Sequence, residues 1–168
     1  MKKILNLIND TKKNENKTID ILGNGPSLKK YIFTNNKIKL GMNVAYRYWY
    51  NIDVFPEYYV CLDIIVVKSH ANTIHQMIKT KDMKFFLSDA YFEIYEEDYY
   101  FNNVYSLSLL KSFSKIIRES PHVTTGSFSI RIAIMLGYKQ INIYGMDSDY
   151  INYLPEAKVV GYNNGVEI

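Results

Sequence analysis

Two glycines follow an apolar run near the start of the chain, and their spacing is typical of a loop that binds an anion. The run is Thr18–Leu22, and the loop after it reads GNGPSL, residues 23–28. Gly23 and Gly25 allow the backbone to approach a ligand closely, and the amides of a following helix would point at a phosphate. A dinucleotide fingerprint requires a third glycine where Leu28 stands, which disfavours an NAD site. The loop is therefore either a nucleotide-binding turn, in which Asn24 and Ser27 also bind, or a structural corner.

Polar side chains follow three other apolar runs. Asn43 lies 20 residues after Gly23, about where that fingerprint places an acid on the ribose. Its neutral amide can hydrogen-bond a ribose hydroxyl or a base edge. Asp63 ends another run, and Asp147 follows the run that ends at Gly145. If these runs are parallel strands, their carboxyl ends meet at one edge, and we expect the polar groups to form one rim there.

The segment Thr124-Thr125-Gly126-Ser127 offers a second anion site. A helix N-terminus carries free amides, and the two threonine hydroxyls can donate hydrogen bonds as well. The alternative is ordinary N-capping, which threonine performs routinely.

Asp147 and Asp149 flank a serine, as paired acids do in many sugar transferases that hold a metal and a nucleotide diphosphate. Their hard oxygens suit Mg²⁺ or Mn²⁺. The alternative is a solvated loop.

Three histidines are candidates for acid–base chemistry. His70 and His75 fall within a predicted helix, where packing or solvation accounts for them. His122 precedes the predicted helix that begins at Thr124–Gly126, where it can contact a phosphate or transfer a proton.

Strands that alternate with helices predict the α/β class, with a mostly parallel sheet flanked by helices. The helices are predicted within residues 1–17, over 64–78 with Ile64, Val67, Ile74 and Ile78 on one face, and from Thr124 to a stop at Gly137; the strands are predicted over 18–22, 40–43, 57–63, 84–87 and 141–144. The aromatic segment 91–105 is compatible with helix or strand. Its tyrosines indicate either an aromatic core and rim or a surface for a sugar or a membrane-anchored acceptor.

Composition narrows the range of partners and compartments. The formal charge is +3 without a long basic block, so a nucleic-acid partner is not indicated. Cys61 is the single cysteine, which excludes a disulfide within the chain and favours a reducing, cytoplasmic compartment. Polar residues interrupt the first apolar stretch, and we expect neither a signal peptide nor a membrane span.

Taken together, these motifs resemble the bacterial sialyltransferases of glycosyltransferase family 42. The resemblance rests on GNGPSL, on Asn43, and on the block HVTTGSFSIRIAIMLGYKQINIYGMD, and it covers about residues 18–150. The chain is also similar to the related domain of motility-associated factors and to the archaeal pterin diphosphokinase-like group. The block is fairly specific, because its hydroxyl-Gly helix, Leu-Gly-Tyr-Lys, strand and Gly-x-Asp recur in one order.

The resemblance implies a Rossmann-like nucleotide-sugar-binding domain over residues 1–168. It implies transfer of an acidic sugar from a CMP-activated donor to a glycan hydroxyl, with no metal required. Asn24 and Gly25 would lie by the phosphate and ribose, with Asn43 nearby. Asp63 would stand where the sialyltransferases carry asparagine, and Thr125-Gly126 would match their donor-contacting Ser-Gly pair. Peripheral association with the inner face of the membrane and a homo-oligomer are further expectations.

The chain departs from the family pattern at its expected catalytic positions. His122 stands where the sialyltransferases have arginine, and Asp149 where they have a tyrosine that assists the leaving phosphate, a role that Tyr150 or Tyr153 would take. The family's catalytic base is a histidine in a segment beyond its lid, past the position of Ile168. Either the chain is truncated there, or a partner completes the site, or the activity differs. Two alternatives keep the fold: metal-dependent diphosphate transfer through Asp147 and Asp149, and a nucleotide-binding module without turnover.

Overall fold

The computed structural model describes residues 2–119 and 124–147, which form one parallel sheet covered by helices. The strands are β1 Thr18–Leu22, β2 Ile38–Met42, β3 Tyr58–Cys61, β4 Lys84–Leu87, β5 Val104–Ser106 and β6 Gln140–Tyr144. The α-helices are α1 Lys2–Asn14, α2 Tyr46–Ile52, α3 Ile64–Thr80, α4 Leu107–Phe113, α5 Lys115–Arg118 and α6 Thr125–Met135. Short 3-10 helices occupy Pro26–Lys30, Asn43–Ala45, Asp89–Tyr91 and Glu96–Tyr100.

The six strands lie in the order β5-β4-β3-β2-β1-β6, and every neighbouring pair is parallel. Ile21 of β1 pairs with Leu40 of β2 on one side and with Ile143 of β6 on the other. The predicted α/β class and its parallel sheet are confirmed. Strand order reverses beside β1, because β2 to β5 extend to one side of it and β6 lies on the other. In open parallel sheets, ligands bind at such a switch point.

Side-chain alternation along the strands separates two apolar cores on the two faces of the sheet. On one face, Ile19 and Ile21 pack in a cluster with Phe128 and Ile132 of α6 and with Leu7 of α1. The opposite cluster contains residues of β3 and β4, covered by α2 and α3: Trp49, Tyr59, Cys61, Val67, Ile74, Phe85 and Leu87. The sheet is thereby fixed from both sides.

Most predicted strands agree with the structure to within two residues. The bounds 18–22 and 84–87 are confirmed, whereas β2 covers Ile38–Met42 and leaves Asn43 to begin a 3-10 helix. The strand predicted over 57–63 is shorter, since Leu62 and Asp63 form the connection to α3. These shorter strands place both Asn43 and Asp63 just past a strand end, at the edge of the sheet where the candidate site lies.

The predicted buried face of α3 is right for three of its four residues. Val67, Ile74 and Ile78 are buried, but Ile64 is 53% exposed. Ile64 is the first helical residue after the Asp63 cap, and the buried residues begin one turn later. Across the two described ranges, no helix combines the length and apolar composition needed to cross a bilayer.

The aromatic segment 91–105 divides between core and surface. Tyr91 and Tyr105 are fully buried, whereas Tyr100 is 74% exposed. The segment forms the 3-10 helix Glu96–Tyr100 and the short strand β5. The helix-or-strand ambiguity arose because 3-10 turns have neither of the two periodicities.

Candidate functional site

The loops after β1 and β6 are hydrogen-bonded to each other at the switch point. The Gly23 amide donates to the Tyr144 carbonyl over 2.8 Å, and the Gly25 amide donates to the Gly145 carbonyl over 2.7 Å. In the opposite direction, the Gly145 amide donates to Oγ of Ser27 over 3.0 Å. The two loops therefore form one rigid floor at the carboxyl edge of the sheet.

Glycine is required in this floor because the two backbones approach so closely. A Cβ atom on Gly23 would lie 2.1 Å from the Gly145 carbonyl oxygen, and one on Gly25 would lie 2.3 Å from Oδ2 of Asp147. Gly145 has a φ of 67°, in the left-handed region that glycine adopts without strain. The two glycines of GNGPSL thus serve loop-to-loop packing, whatever else binds there.

The side chain of Asp147 also bonds to the glycine loop. Its Oδ2 atom accepts a hydrogen bond of 2.8 Å from the Ser27 amide. The Leu28 amide donates to the Gly25 carbonyl over 3.0 Å, and Pro26 has no amide hydrogen. The expectation that the amides after the turn point at an anion is therefore wrong for these three positions. Asn24, at the tip of the loop, is exposed.

Asn43 lies just past the end of β2 and has a left-handed backbone conformation, which asparagine adopts more readily than most residues. Its φ is 47°, and its carbonyl accepts a hydrogen bond of 2.8 Å from the Tyr59 hydroxyl. The side-chain Oδ1 atom is buried and has no hydrogen-bond partner among residues 2–119 and 124–147. Buried polar atoms are nearly always paired in folded proteins. The amide oxygen of Asn43 is therefore an unpaired acceptor at this edge of the sheet.

Asp63 caps the N-terminus of α3. Its Oδ1 atom accepts hydrogen bonds from the amides of Ile65 over 2.9 Å and Val66 over 3.2 Å. These bonds pair two of the amides that the first turn of a helix leaves free. The cap directs the carboxylate toward its own helix.

Two substitutions at Asp63 separate capping from charge. Asp63→Ala is expected to lower the free energy of unfolding by about 1 kcal/mol, the usual cost of losing an N-cap. Asp63→Asn is expected to change it by less than about 0.5 kcal/mol, because asparagine caps equally well. Urea denaturation monitored by circular dichroism measures both. Equal stabilities for the alanine variant and the unchanged protein would show that the cap does not contribute.

The first turn of α6 reaches the loop after β6. Thr124 is its N-cap and accepts a hydrogen bond of 3.2 Å from the Ser127 amide, as the capping alternative predicted. A Cβ atom on Gly126 would lie 3.2 Å from Sδ of Met146. Thr125 is buried. The start of α6 thus lies beside the same floor as the glycine loop.

The remaining predicted groups divide between packed positions and undescribed ones. His122, Asp149, Tyr150 and Tyr153 lie outside the described residues. Nδ1 of His70 lies 2.7 Å from the Tyr46 hydroxyl, and burial, followed by the nearby Arg47 charge, lowers the pKa of His70. Buried Cys61 has its pKa raised to about 12 by that burial, so its thiol stays protonated at neutral pH. The protonated Cys61 thiol is therefore not a nucleophile.

Sequence reasoning missed the unpaired Asn43 oxygen and the partner of His75. Nδ1 of His75 lies 2.8 Å from Oδ2 of Asp98, which is fully buried. Spacing gave no signal for this pair, because the two residues are 23 positions apart on a helix and a 3-10 turn.

Comparison with known proteins gives matches by structure alone. No protein-family model and no curated protein sequence matches the chain. The structure is similar to that of the sialyltransferase CstII from Campylobacter jejuni in complex with the substrate analogue CMP-3FNeuAc, with a TM-score of 0.53 and 18% identity. That match covers 83% of this chain and 69% of the other. A crystal structure of the sialyltransferase CST-II with a trisaccharide acceptor and CMP gives a TM-score of 0.53 at 17% identity, covering 84% and 70%. The shared property is the fold.

Proposed function

We propose that this chain is a sialyltransferase-like glycosyltransferase, which transfers sialic acid or a similar acidic sugar from a CMP-activated donor to a glycan hydroxyl. The observation that carries the proposal is the fold similarity to sialyltransferases that were solved with CMP and with a CMP-sugar analogue. The candidate site supports it independently, because polar residues follow the carboxyl ends of β1, β2, β3 and β6. The loops after β1 and β6 lie at the switch point, where ligands bind in open parallel sheets.

The donor nucleotide would bind across the floor formed by the loops after β1 and β6. The unpaired Oδ1 of Asn43 would accept a hydrogen bond from a ribose hydroxyl or from the cytosine amino group. The start of α6 would face the phosphate, because the Thr124 side chain caps the Ser127 amide alone in this first turn. The dipole at the start of a helix also favours an anion. The donor-binding set in this proposal is Gly23, Asn24, Gly25, Ser27, Asn43, Asp63, Thr124, Thr125, Gly126 and Asp147.

Within this set, Gly23, Gly25, Ser27 and Asp147 would act mainly by shaping the floor. Each is already hydrogen-bonded within the floor: Gly23 to Tyr144, Gly25 and the Ser27 hydroxyl to Gly145, and the Ser27 amide to Asp147. A preformed floor binds a ligand without a cost for ordering the loops. Contacts to the nucleotide would then come from Asn24, Asn43 and the first turn of α6.

The chemical step joins the acceptor oxygen to the anomeric carbon of the sugar. The bond between that carbon and the phosphate oxygen of CMP breaks, CMP departs as an anion, and a general base takes the proton of the acceptor hydroxyl. Donors at the start of α6 would stabilise the charge that develops on the phosphate. We propose His122, Tyr150 and Tyr153 as the residues that assist the proton transfer and the leaving group. The CMP-sugar is a substrate, and the proposal requires no metal.

A transfer assay tests this function. The full chain is incubated with CMP-sialic acid and galactoside acceptors, and mass spectrometry follows the sialylated product, free sialic acid and CMP. Transfer, or hydrolysis of the donor well above the enzyme-free rate, would support the proposal. A control without acceptor separates the two reactions. Neither reaction, from protein that unfolds cooperatively, would count against it, and Mg²⁺-dependent turnover of ATP in a parallel sample would favour diphosphate transfer.

A further inference from the structure

A partly buried cluster between α3 and the 3-10 helix Glu96–Tyr100 has the composition of a metal site. Within the part of the chain that the structure describes, one group of three metal-ligating side chains occurs: His75 of α3 and Glu97 and Asp98 of the 3-10 helix Glu96–Tyr100. Their ligand atoms all lie within 4.8 Å of one another. His75 and Asp98 are buried, whereas Glu97 is exposed and leaves the cluster open to solvent on one side.

Asp98 supplies an unsatisfied buried acceptor in this cluster. Its side chain is fully buried, and its Oδ1 atom has no hydrogen-bond partner among the described residues. Leaving a buried carboxylate oxygen without a hydrogen-bond partner is costly, so a ligand at this atom would be stabilising. Oδ2 is already occupied by Nδ1 of His75 at 2.8 Å and by the Tyr91 hydroxyl.

The excess of carboxylates over cationic groups in the cluster also favours the binding of a cation. Two carboxylates stand next to a single imidazole, and like charges in a partly buried site disfavour one another. Among the ion pairs of the described ranges, Asp98 pairs only with His75, and no lysine or arginine pairs with Glu97 or Asp98. The cluster therefore has no protein cation beyond the histidine itself.

The ligands are held in place by groups that do not belong to the cluster. Tyr95 stacks on the His75 ring with centroids 4.0 Å apart and an angle of 12° between the planes, and its hydroxyl bonds to Asn72. Tyr91 donates to Asp98 from the 3-10 helix Asp89–Tyr91. Such outer contacts, which fix the orientation of a histidine and a carboxylate, are typical of metal sites in proteins.

We propose that His75, Glu97 and Asp98 bind one divalent transition-metal ion, for which Zn²⁺ is the probe. One imidazole and two carboxylates suit zinc, whereas Mg²⁺ prefers oxygen ligands alone. The ion would bind Oδ1 of Asp98 and connect α3 to the 3-10 helix Glu96–Tyr100. A 3-10 helix has weak hydrogen bonds of its own, so this connection would stabilise the segment. The site serves structure and is independent of the proposed transferase chemistry.

Calorimetric titration of ZnCl₂ into the chelator-treated, dialysed chain tests the proposal. One saturable zinc ion is expected, with an increase in melting temperature, and MgCl₂ is expected to bind much more weakly. His75→Ala should weaken zinc binding by more than about 100-fold, since loss of a ligand exceeds the roughly 10- to 100-fold cost of losing an outer contact. Tyr91→Phe, which removes only such a contact, should fall within that roughly 10- to 100-fold range.

Matched variants keep the result interpretable. Glu97→Gln removes an exposed ligand and decides the outcome if His75→Ala fails to fold. His70→Ala and Glu96→Gln change a histidine on the same helix and an acid on the same 3-10 turn, and both are expected to bind zinc normally. Absence of saturable binding, tighter binding of Mg²⁺, or zinc affinity unchanged in both His75→Ala and Glu97→Gln would overturn the proposal.

Discussion

Gly23→Ala is expected to lower the free energy of unfolding by about 2–3 kcal/mol, toward the upper end of overpacking costs. The new methyl group would lie 2.1 Å from the Gly145 carbonyl oxygen and 2.7 Å from its carbon. Both are backbone atoms in a hydrogen-bonded floor, so relief requires the loops after β1 and β6 to separate. Separation would also disrupt the bond from the Gly25 amide to Gly145. Urea denaturation measures the loss.

Gly126→Ala is the matched control. Its methyl group would meet Sδ of Met146 at 3.2 Å, at the flexible end of a side chain that can move by a few tenths of an ångström. Alanine is also favoured over glycine inside a helix by about 1 kcal/mol, so we expect no loss of stability. A Gly23→Ala protein as stable as the unchanged chain would contradict the description of the floor.

Asn43→Gly is expected to weaken CMP binding by about 3- to 10-fold while preserving the fold. A hydrogen bond between neutral groups contributes about 0.5–1.5 kcal/mol, and about 1.4 kcal/mol corresponds to tenfold in affinity. Since Oδ1 of Asn43 has no partner among the described residues, its removal breaks no side-chain bond at that atom. Glycine retains the left-handed backbone conformation at φ 47° without strain. Calorimetry with CMP, together with urea denaturation, separates binding from stability.

Asn43→Ala completes the comparison. Alanine removes the same amide but strains the left-handed backbone by about 1–2 kcal/mol, so the alanine variant should be less stable than the glycine variant. Both variants should bind CMP equally weakly. If Asn43→Gly binds CMP as the unchanged protein does, the side chain of Asn43 is not a nucleotide contact.

The sequence predicted most of the sheet well because β1 to β4 are short, mostly buried and closely followed by small or polar residues. β1 and β4 have the predicted bounds, and Gly137, with a φ of 88°, lies just past the end of α6 as expected. Asn43 and Asp63 could be placed at the carboxyl edge for the same reason. The carboxyl ends of parallel strands lie at one edge of the sheet, so residues that directly follow the strands are brought to that edge.

What the sequence could not predict depends on contacts between distant residues. The bond from the Ser27 amide to Asp147 joins residues 120 positions apart, and it changes the glycine loop from an open anion cradle to a closed floor. The helix α2 was missed because its aromatic residues follow a 3-10 turn without a capping side chain. The His75–Asp98 pair depends likewise on how α3 packs against the segment after β4.

The most direct test of the proposed function is calorimetric titration of the full chain with CMP, with UDP, GDP and ATP as comparators, each with Mg²⁺ and with a chelator. We expect CMP to bind in preference to the other nucleotides, and we expect this binding to persist in the chelator. CMP should also raise the melting temperature, because a ligand of the folded state stabilises it. Absence of CMP binding, or binding of ATP that requires Mg²⁺, would contradict the account and leave the similarity to the sialyltransferases as one of fold alone.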